Sequence, residues 1–410
     1  MLMIASTDVL RQQNRALVLI ALRQAQSASH TEIAKRTRLS SATVSSITAD
    51  LEAEGVILRL EPIRKPGRGR PRVLFELNAA AAYVAIVRIT SDAVEYSLAD
   101  YGGTLKDRFH ELRPPQNDSV DAFVSRLSDS LKKLAERGGL DCDQIKTISI
   151  SSKGVVAPDL PVLLWSPVFG SEQINFGSAL GSMWKADIQL ANETRFVAQS
   201  YLENKSPVHP LTKPRKIAVL SIGNSIGMGI CTEEVSGRIE SLAPAFSHMV
   251  HQVDGPLCRC GEQGCVEAYS AFYGILRSAL DAPEQSINAS QVPLKTLDQI
   301  AQRARTGDLH AELAFRKAAE ALGIGLSRVL SLFGEMPVMI TGPGIRYLDL
   351  MLPTIQLHIQ QNLYMRHQAI TDVLVEENEP GLVYDGHLAK CLSDLDKRVL
   401  ALGIAKISGV

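Results

Sequence analysis

Three of the chain's six cysteines fall within eight positions, CRCGEQGC at 258–265, and a histidine stands just upstream at His248. The thiolates of Cys258, Cys260 and Cys265 and the imidazole of His248 together make the ligand set of a closed tetrahedral zinc site. Gly255, Pro256, Gly261 and Gly264 supply the turns that fold four ligands around one ion. The alternatives are free thiols or a regulatory disulfide. Cys258 and Cys260 are poorly spaced for a disulfide, which would also leave His248 unexplained. The expectation is one structural Zn2+ per chain, held by the loop 248–265.

Such a loop needs a large body around it. At 410 residues the chain exceeds one ordinary core and implies two or three domains. Its 45% hydrophobic and 21% charged residues are an ordinary globular balance. Arg11 and Arg15 interrupt the N-terminus before any secretory apolar run forms, and the stretch 79–87 is too short to span a bilayer. A cytoplasmic protein with no membrane partner is expected, in which clustered cysteines bind metal more often than each other. Residues 1–78 hold twelve Lys/Arg against seven Asp/Glu, whereas the remainder is acidic. A basic module on an acidic body points to a polyanion partner for the module.

That module reads as three helices and a wing. Asp8 to Gln24 forms a helix with Leu10, Leu17, Ile20 and Ala21 on one face. SASH follows as a turn, and Thr31 caps a brief helix through Ile33 and Ala34 that ends near Thr37. After the turn RLSS, a helix runs from Ser41 to about Glu54 and is closed by Gly55. Val44, Ile47 and Leu51 make its buried stripe, leaving Ser41, Thr43, Ser45, Ser46 and Thr48 outward with no carboxylate before Asp50. This is the order of a helix-turn-helix, whose second helix enters the major groove of double-stranded DNA. A plain helical hairpin is the alternative. VILRLEPIRKPGRGRPRVLFEL continues as two strands around a basic loop, and its tip GRGRPR resembles the minor-groove AT-hook. The candidate DNA contacts are Ser41, Thr43, Ser45 and Ser46 on the helix and Arg64, Lys65, Arg68 and Arg70 on the wing.

From residue 79 the texture becomes α/β. YVAIVRI, AVEYSLAD, TISISS, KADIQLA, KIAVLSIGNS and PVMITGPG are strand-like and alternate with helical segments. GNSIGMG at 223–229 and GPG at 342–344 are glycine-rich turns of the kind that approach ligands, commonly phosphates, or that simply turn tightly.

HMVHQVDGPLCRCGEQGCVEAYS resembles the zinc-binding signature of the ROK family (repressors, open reading frames and kinases), and the likeness covers nearly the whole chain. The winged helix-turn-helix with its GRGRP wing is similar to that of the family's repressors that respond to xylose, N-acetylglucosamine or glucose. The resemblance implies a head at 1–78 and a two-lobed actin-like, sugar-kinase-like (ribonuclease H-like) ATPase fold. Lobe 1 would be 79–195, completed by a C-terminal helix at 385–410, and lobe 2 would be 196–384. LANETR at 190–195 is similar to the family's Asn-Asp motif at the sugar, and SIGNSIGMGI to its second phosphate loop. Asn192, Glu193, His248 and Glu267 are thereby implied at a sugar-like ligand, His248 serving zinc with one ring nitrogen and the sugar with the other.

Against that pattern the chain departs where the family's kinases hold ATP. Their Asp-x-Gly-Gly-Thr falls on AIVRITSD, which puts Arg88 at the metal-side carboxylate and Thr90 at a phosphate-admitting glycine. GGT at 102–104 follows the second strand and reads as a hairpin turn. Asn224 and Ser225 replace Thr-Gly, Glu193 replaces the catalytic Asp, and Ala245 replaces the Glu of Glu-x-Gly-His. A glutamate in place of aspartate displaces a proton acceptor by more than about 1 Å. No ATP and no enzyme activity are expected. The expected function is a repressor of carbohydrate-related genes, acting on a palindromic operator as a homodimer or dimer of dimers, with a sugar or sugar derivative bound between its lobes. A sugar kinase with a fused DNA-binding head, and a constitutive DNA binder whose body only dimerises, are the alternatives.

Overall fold

The computed structural model describes residues 7–60, 73–113, 119–204, 215–235, 239–286, 291–361 and 372–402. The head consists of α1 (Thr7–Ala25), β1 (Ser27–Ser29), α2 (His30–Thr37), α3 (Ser41–Ala53), β2 (Ile57–Leu60) and β3 (Leu74–Leu77). β2 and β3 form the antiparallel base of the wing, with Ile57 opposite Leu77. The wing tip, with Arg64, Lys65, Arg68 and Arg70, lies outside the described residues.

Three local expectations are corrected. SASH is a strand rather than a turn: β1 pairs along the other edge of β3, setting buried Ala28 opposite Phe75, a tertiary pairing with no local signature. The N-cap of α2 is Ser29, not Thr31. Its side chain meets Glu32 N while Glu32 Oε2 accepts Ser29 N at 2.8 Å, a reciprocal capping box. On α1 the buried face is Val18, Leu19, Ala21 and Leu22, while Leu10, Leu17 and Ile20 are exposed. The helix has two apolar faces, and the one chosen also carries Arg15, which pairs with Glu54 below α3.

Lobe 1 contains β4 (Tyr83–Ile89), β5 (Ala93–Asp100), β6 (Leu105–Leu112), α4 (Val120–Arg137), β7 (Ile145–Ser152), β8 (Val155–Val156), β9 (Val162–Trp165), β10 (Ile174–Asn175), α5 (Phe176–Gly181) and β11 (Asp187–Asn192). α6 (Glu193–Asn204) follows. Lobe 2 contains β12 (Arg215–Ile222), β13 (Ile226–Glu233), β14 (Ile239–Leu242), α7 (Val266–Ser270), α8 (Phe272–Ala279), α9 (Leu294–Arg305), α10 (Leu309–Phe333), β15 (Val338–Thr341), α11 (Leu348–Gln361) and β16 (Val373–Val375). α12 (Glu379–Leu402) ends the described chain.

The main sheets repeat one plan. Lobe 1 runs β6-β5-β4-β7-β11 and lobe 2 runs β14-β13-β12-β15-β16. In each, three antiparallel strands continue into two parallel ones. The inner parallel strands β7 and β15 are buried on both faces, which explains the unbroken run VMIT in β15, whereas the edge strands β11 and β16 are partly exposed. GGT at 102–104 is the β5–β6 turn, closed by Gly103 N on Asp100 O at 2.9 Å.

α6 and α12 cross where the parts meet. Val197, Ala198 and Leu202 of α6 and Val383 of α12 share a core with Ile217, Val219 and Met339 of lobe 2. Further along α12, Cys391, Leu392, Leu395 and Val399 join a core that includes Val84 and Ile86 of β4, Tyr101, and Leu22, Ile57 and Phe75 of the head. The head is therefore bolted to the body through one continuous apolar core. Arg23 of α1 donates to both oxygens of Asp396 on α12 at 2.8 and 2.9 Å, and Tyr101 Oη donates to the same carboxylate at 2.6 Å.

The α6–α12 crossing depends on Gly386, because a Cβ there would lie 2.2 Å from Phe196 O. His387, the next residue, stacks on the Phe196 ring with centroids 3.7 Å apart. Gly386→Ala is expected to push the helices apart and cost about 1–3 kcal/mol in denaturant unfolding; unchanged stability would show that the crossing is looser than described.

Candidate functional site

On the head, α3 is capped by Ser40, whose Oγ accepts Thr43 N at 3.1 Å and bonds Thr43 Oγ1 at 2.8 Å. Ser41, Ser45 and Ser46 are exposed and Thr43 is half-buried, so these four hydroxyls share an accessible face. Thr48 is not among them. It is buried, bonding His30 Nε2 at 2.8 Å and Val44 O at 2.9 Å, because a hydroxyl that satisfies itself on the helix can turn inward. Lys35, Arg36 and Arg38 are exposed beside this face, around the left-handed turn at Arg38. The sequence reading missed these three, having assigned the basic contacts to the wing alone.

In lobe 2, His248 ends a short 3-10 turn (Phe246–His248) and Cys265 immediately precedes α7. The loop between them doubles back through Gly264, where a Cβ would strike Gln252 O at 1.8 Å. One ligand atom from each of His248, Cys258, Cys260 and Cys265 lies within 4.8 Å of the others. Cys260 Sγ and Cys265 Sγ are 3.8 Å apart, as are Cys258 Sγ and His248 Nδ1. With Zn–S near 2.3 Å, the edge of a tetrahedron is about 3.8 Å, whereas a disulfide needs about 2.05 Å. Hydrogen bonding from Cys265, then from His248, holds the Cys258 thiol down at about 3. Tyr273 Oη reaches Cys258 Sγ at 3.5 Å. The four residues fit a tetrahedral soft-metal ion.

Beside this cluster lies a cleft of about 710 Å³, within the range of small-molecule sites. Lobe 1, lobe 2 and α12 all contribute walls, including Lys153, Asn192, Arg195, His248, Glu267 and Lys390. Trp165 stands edge-on to the His248 ring with centroids 5.1 Å apart. Asn192 Nδ2 donates to Gly154 O at 2.9 Å, while its Oδ1 accepts from Thr194 N and Oγ1 at 3.1 and 2.8 Å. Glu267 is buried, accepting Ile226 N at 3.2 Å and Arg259 at 3.1 Å; burial raises its carboxyl, and Arg259 partly opposes that. Gly227 and Gly229 belong to β13 and admit Thr194: a Cβ on Gly229 would lie 2.1 Å from Thr194 O. These glycines thus seat the start of α6 rather than a phosphate.

Glu193 does not line the cleft. It is fully buried at the start of α6, with Arg88 Nε 3.0 Å from Oε2 and Lys153 Nζ 3.3 Å from Oε1. Arg88 also faces Glu95 at 3.6 Å and Glu379 of α12 at 3.9 Å. Burial alone would raise the Glu193 carboxyl, but Arg88 first and then Lys153 bring it below the ordinary range. The β4–β5 turn is closed by Thr90 Oγ1 on Asp92 and Ala93 O, both at 2.9 Å. Near the start of β13, Asn224 Oδ1 accepts Val292 N at 2.7 Å, and Gly223 packs against Pro343. A knot of side chains thus occupies the centre of the interlobe region.

Two similar open sheets meeting at a cleft, with crossing helices between them, define the actin-like, sugar-kinase-like class, here carrying a winged helix-turn-helix. Residues 86–381 match the ROK family and residues 12–57 match a winged helix-turn-helix DNA-binding domain. The chain belongs to the ROK family. It is 21% identical over 394 residues to the xylose repressor of Caldicellulosiruptor bescii, covering 94% of this chain and 97% of that protein. Among solved structures, a ROK family transcriptional regulator described as a homolog of the E. coli MLC protein superposes with a TM-score of 0.67 at 20% identity, covering 94% of this chain and 99% of the other. A ROK family glucokinase from Streptomyces griseus, in complex with glucose and AMPPNP, gives a TM-score of 0.55 at 19% identity over 75% of this chain and 99% of its own.

The sequence reading missed Lys153, Arg195 and Lys390 at the cleft and Arg259 behind it. Lys153 and Arg195 are held by Glu193 and Ser241, remote in the chain and marked by no local spacing, whereas Lys390 pairs with Asp394 one helical turn on and Arg259 with Glu267 eight residues on. Arg88→Leu tests the knot. Leaving Glu193 with Lys153 alone is expected to cost about 3 kcal/mol at pH 7. In the wild type the depressed Glu193 stabilises above its unfolded range, and that contribution is lost as pH falls through its folded value. In the variant, acid instead relieves the poorly paired carboxylate, so the difference between the proteins should shrink from pH 7 to pH 4. His387, lowered by burial to about 3 with Arg88 adding to the depression, destabilises both proteins below its ordinary range but the variant less, which narrows the difference further in acid. A difference independent of pH would contradict the assignment.

Proposed function

We propose that this protein is a sugar-responsive DNA-binding transcriptional repressor of carbohydrate-related genes, with a regulatory cleft and no catalytic activity. The observation that carries this reading is the path of α12. Lys390 lines the cleft and pairs with Asp394, Gln189 of the cleft wall donates to Asp394 at 3.2 Å, and Asp396, half a turn on, grips Arg23 of the head. A ligand that changes lobe closure therefore acts on the helix to which the head is attached. The xylose repressor's similarity over almost its full length supports the same reading.

The units are the head (1–78), lobe 1 (79–195 with the C-terminal helix) and lobe 2 (196–384). The head binds double-stranded DNA through Ser41, Thr43, Ser45 and Ser46 with the wing residues Arg64, Lys65, Arg68 and Arg70. A homodimer, or a dimer of dimers, matches a palindromic operator. Asn192, His248 and Glu267 face the sugar, whereas Glu193 acts from beneath the cleft by fixing the start of α6. Phosphoryl transfer requires metal-bridged ATP and a base on the attacking hydroxyl. Here Arg88 and Lys153 lie within ion-pairing distance of the carboxylate that would be that base. Zinc held by His248, Cys258, Cys260 and Cys265 would supply a fixed tetrahedral centre that pins the cleft-side loop.

Two experiments test this. The protein bound to DNA selected from a random pool is titrated with sugars and, separately, incubated with magnesium-ATP and the same sugars. At least one sugar should alter DNA affinity and none should release ADP; sustained ADP release would make the protein a kinase with a DNA-binding head. Metal analysis of reduced protein should return about one zinc per chain, and Cys260→Ser should lower both metal content and thermal stability. Metal-free reduced protein of full stability would overturn the zinc assignment.

A further inference from the structure

Of the three cations that line the cleft, one has no acidic partner among the described residues. Arg195 of α6 lines it, with Nε donating to Ser241 Oγ at 2.9 Å. Among the described residues no carboxylate lies within ion-pairing distance of this guanidinium, although Lys153 and Lys390, which share the cleft, are each paired. Asn192 Oδ1 already accepts twice from Thr194, so Asn192 has only an amide hydrogen to offer.

Of the wall's carboxylates Glu267 is buried and held from behind, whereas Asp187 is exposed and bonded by a neighbouring wall residue. Glu267 holds Ile226 N and Arg259, and Asp187 accepts Gln189 at 2.7 Å and faces Arg398 at 3.6 Å. Asp159 is exposed in the β8–β9 turn at the rim. Ala245 adds an apolar wall. A neutral sugar would find acceptors in the wall's carboxylates and in Ser225, Ser241 and Ser247, but it offers Arg195 only uncharged hydroxyl oxygens. A carboxylate or phosphate only accepts, and it matches the fork of a guanidinium.

We propose that the cleft takes an anionic sugar derivative, a sugar acid or a sugar phosphate, with its anionic group on Arg195. This rests on the cleft being the effector site and narrows the class of its ligand. Lys153 and Lys390 do not compete for the role, since each already holds a carboxylate.

The test is calorimetric titration of the full-length protein at fixed ionic strength with matched sets. These comprise common hexoses and pentoses, their aldonates and uronates, their terminal phosphates, and inorganic phosphate alone. At least one anionic member should bind about ten-fold or more tightly than its neutral parent. Arg195→Gln should remove most of that advantage and Arg195→Lys should restore part of it. DNA binding in the absence of sugar should be unchanged in both variants, which serves as the folding control. Preference for sugar acids over sugar phosphates, or the reverse, identifies the anion. Neutral sugars binding as tightly as anionic ones, or an Arg195→Gln protein that keeps the preference, would overturn the proposal and leave the effector reading standing. Inorganic phosphate binding as tightly as the best sugar phosphate would overturn it as well, since the sugar would contribute nothing. Binding of no sugar of either kind would bring down both.

Discussion

The carboxylate of Asp396, nine-tenths buried, accepts hydrogen bonds from Arg23 of the head and from Tyr101 at the end of β5. Three segments remote in sequence meet on two oxygen atoms, and the Arg23 guanidinium also lies over the Tyr101 ring, 5.3 Å from its centroid. Removing one partner of such a buried pair strands a charge, so head, lobe 1 and α12 hold their relative positions together or lose them together. Because α12 also enters the lobe 2 core at Val383 and lies against α6 at Gly386, this one helix touches every moving part.

The same economy governs the centre of the molecule. Arg88 of β4 reaches the carboxylate of Glu193 at the start of α6. Arg88 and Lys153 balance Glu193 inside the protein, with Glu379 of α12 close by. The charges at this buried centre are compensated by one another. What stays open is the neighbouring cleft, whose walls are built from the same α6 and α12.

Much of this was legible in the sequence. The cysteine cluster spans eighteen positions and needs only local turns to close. The helix-turn-helix declares itself through the turn RLSS, the buried stripe Val44, Ile47, Leu51, and Gly55, while the cap at Ser40 emerges only in the structure. The central strands β4, β12 and β15 are nearly continuous apolar runs bounded by turns, whereas β6, LKDRFHEL, is polar and carries no such signal. Misreadings occurred where two local choices were nearly equal and distant packing decided. α1 offers two apolar faces, and only the contact with β3 and α12 selects Val18 and Leu22 over Leu17 and Ile20. Thr48 looks like a surface hydroxyl until His30 is placed beside it. Glu193 looks like a ligand contact until Arg88 is placed beneath it. Arg195 and Asp396 carry no local signal because their partners, Ser241 and Arg23, are remote in the chain.

The central claim is that the cleft reaches the head through the Arg23–Asp396 link. It is tested by replacing both partners with apolar residues of similar size, Arg23→Met with Asp396→Leu, which leaves no stranded charge. The quantity to measure is the coupling between cleft ligand and DNA, obtained from DNA affinity with and without saturating ligand in the wild type and the double variant. The account predicts that each binding event survives while the ligand's effect on DNA affinity falls toward one-fold. A double variant that binds both and keeps the wild-type coupling would show that the signal travels by another route.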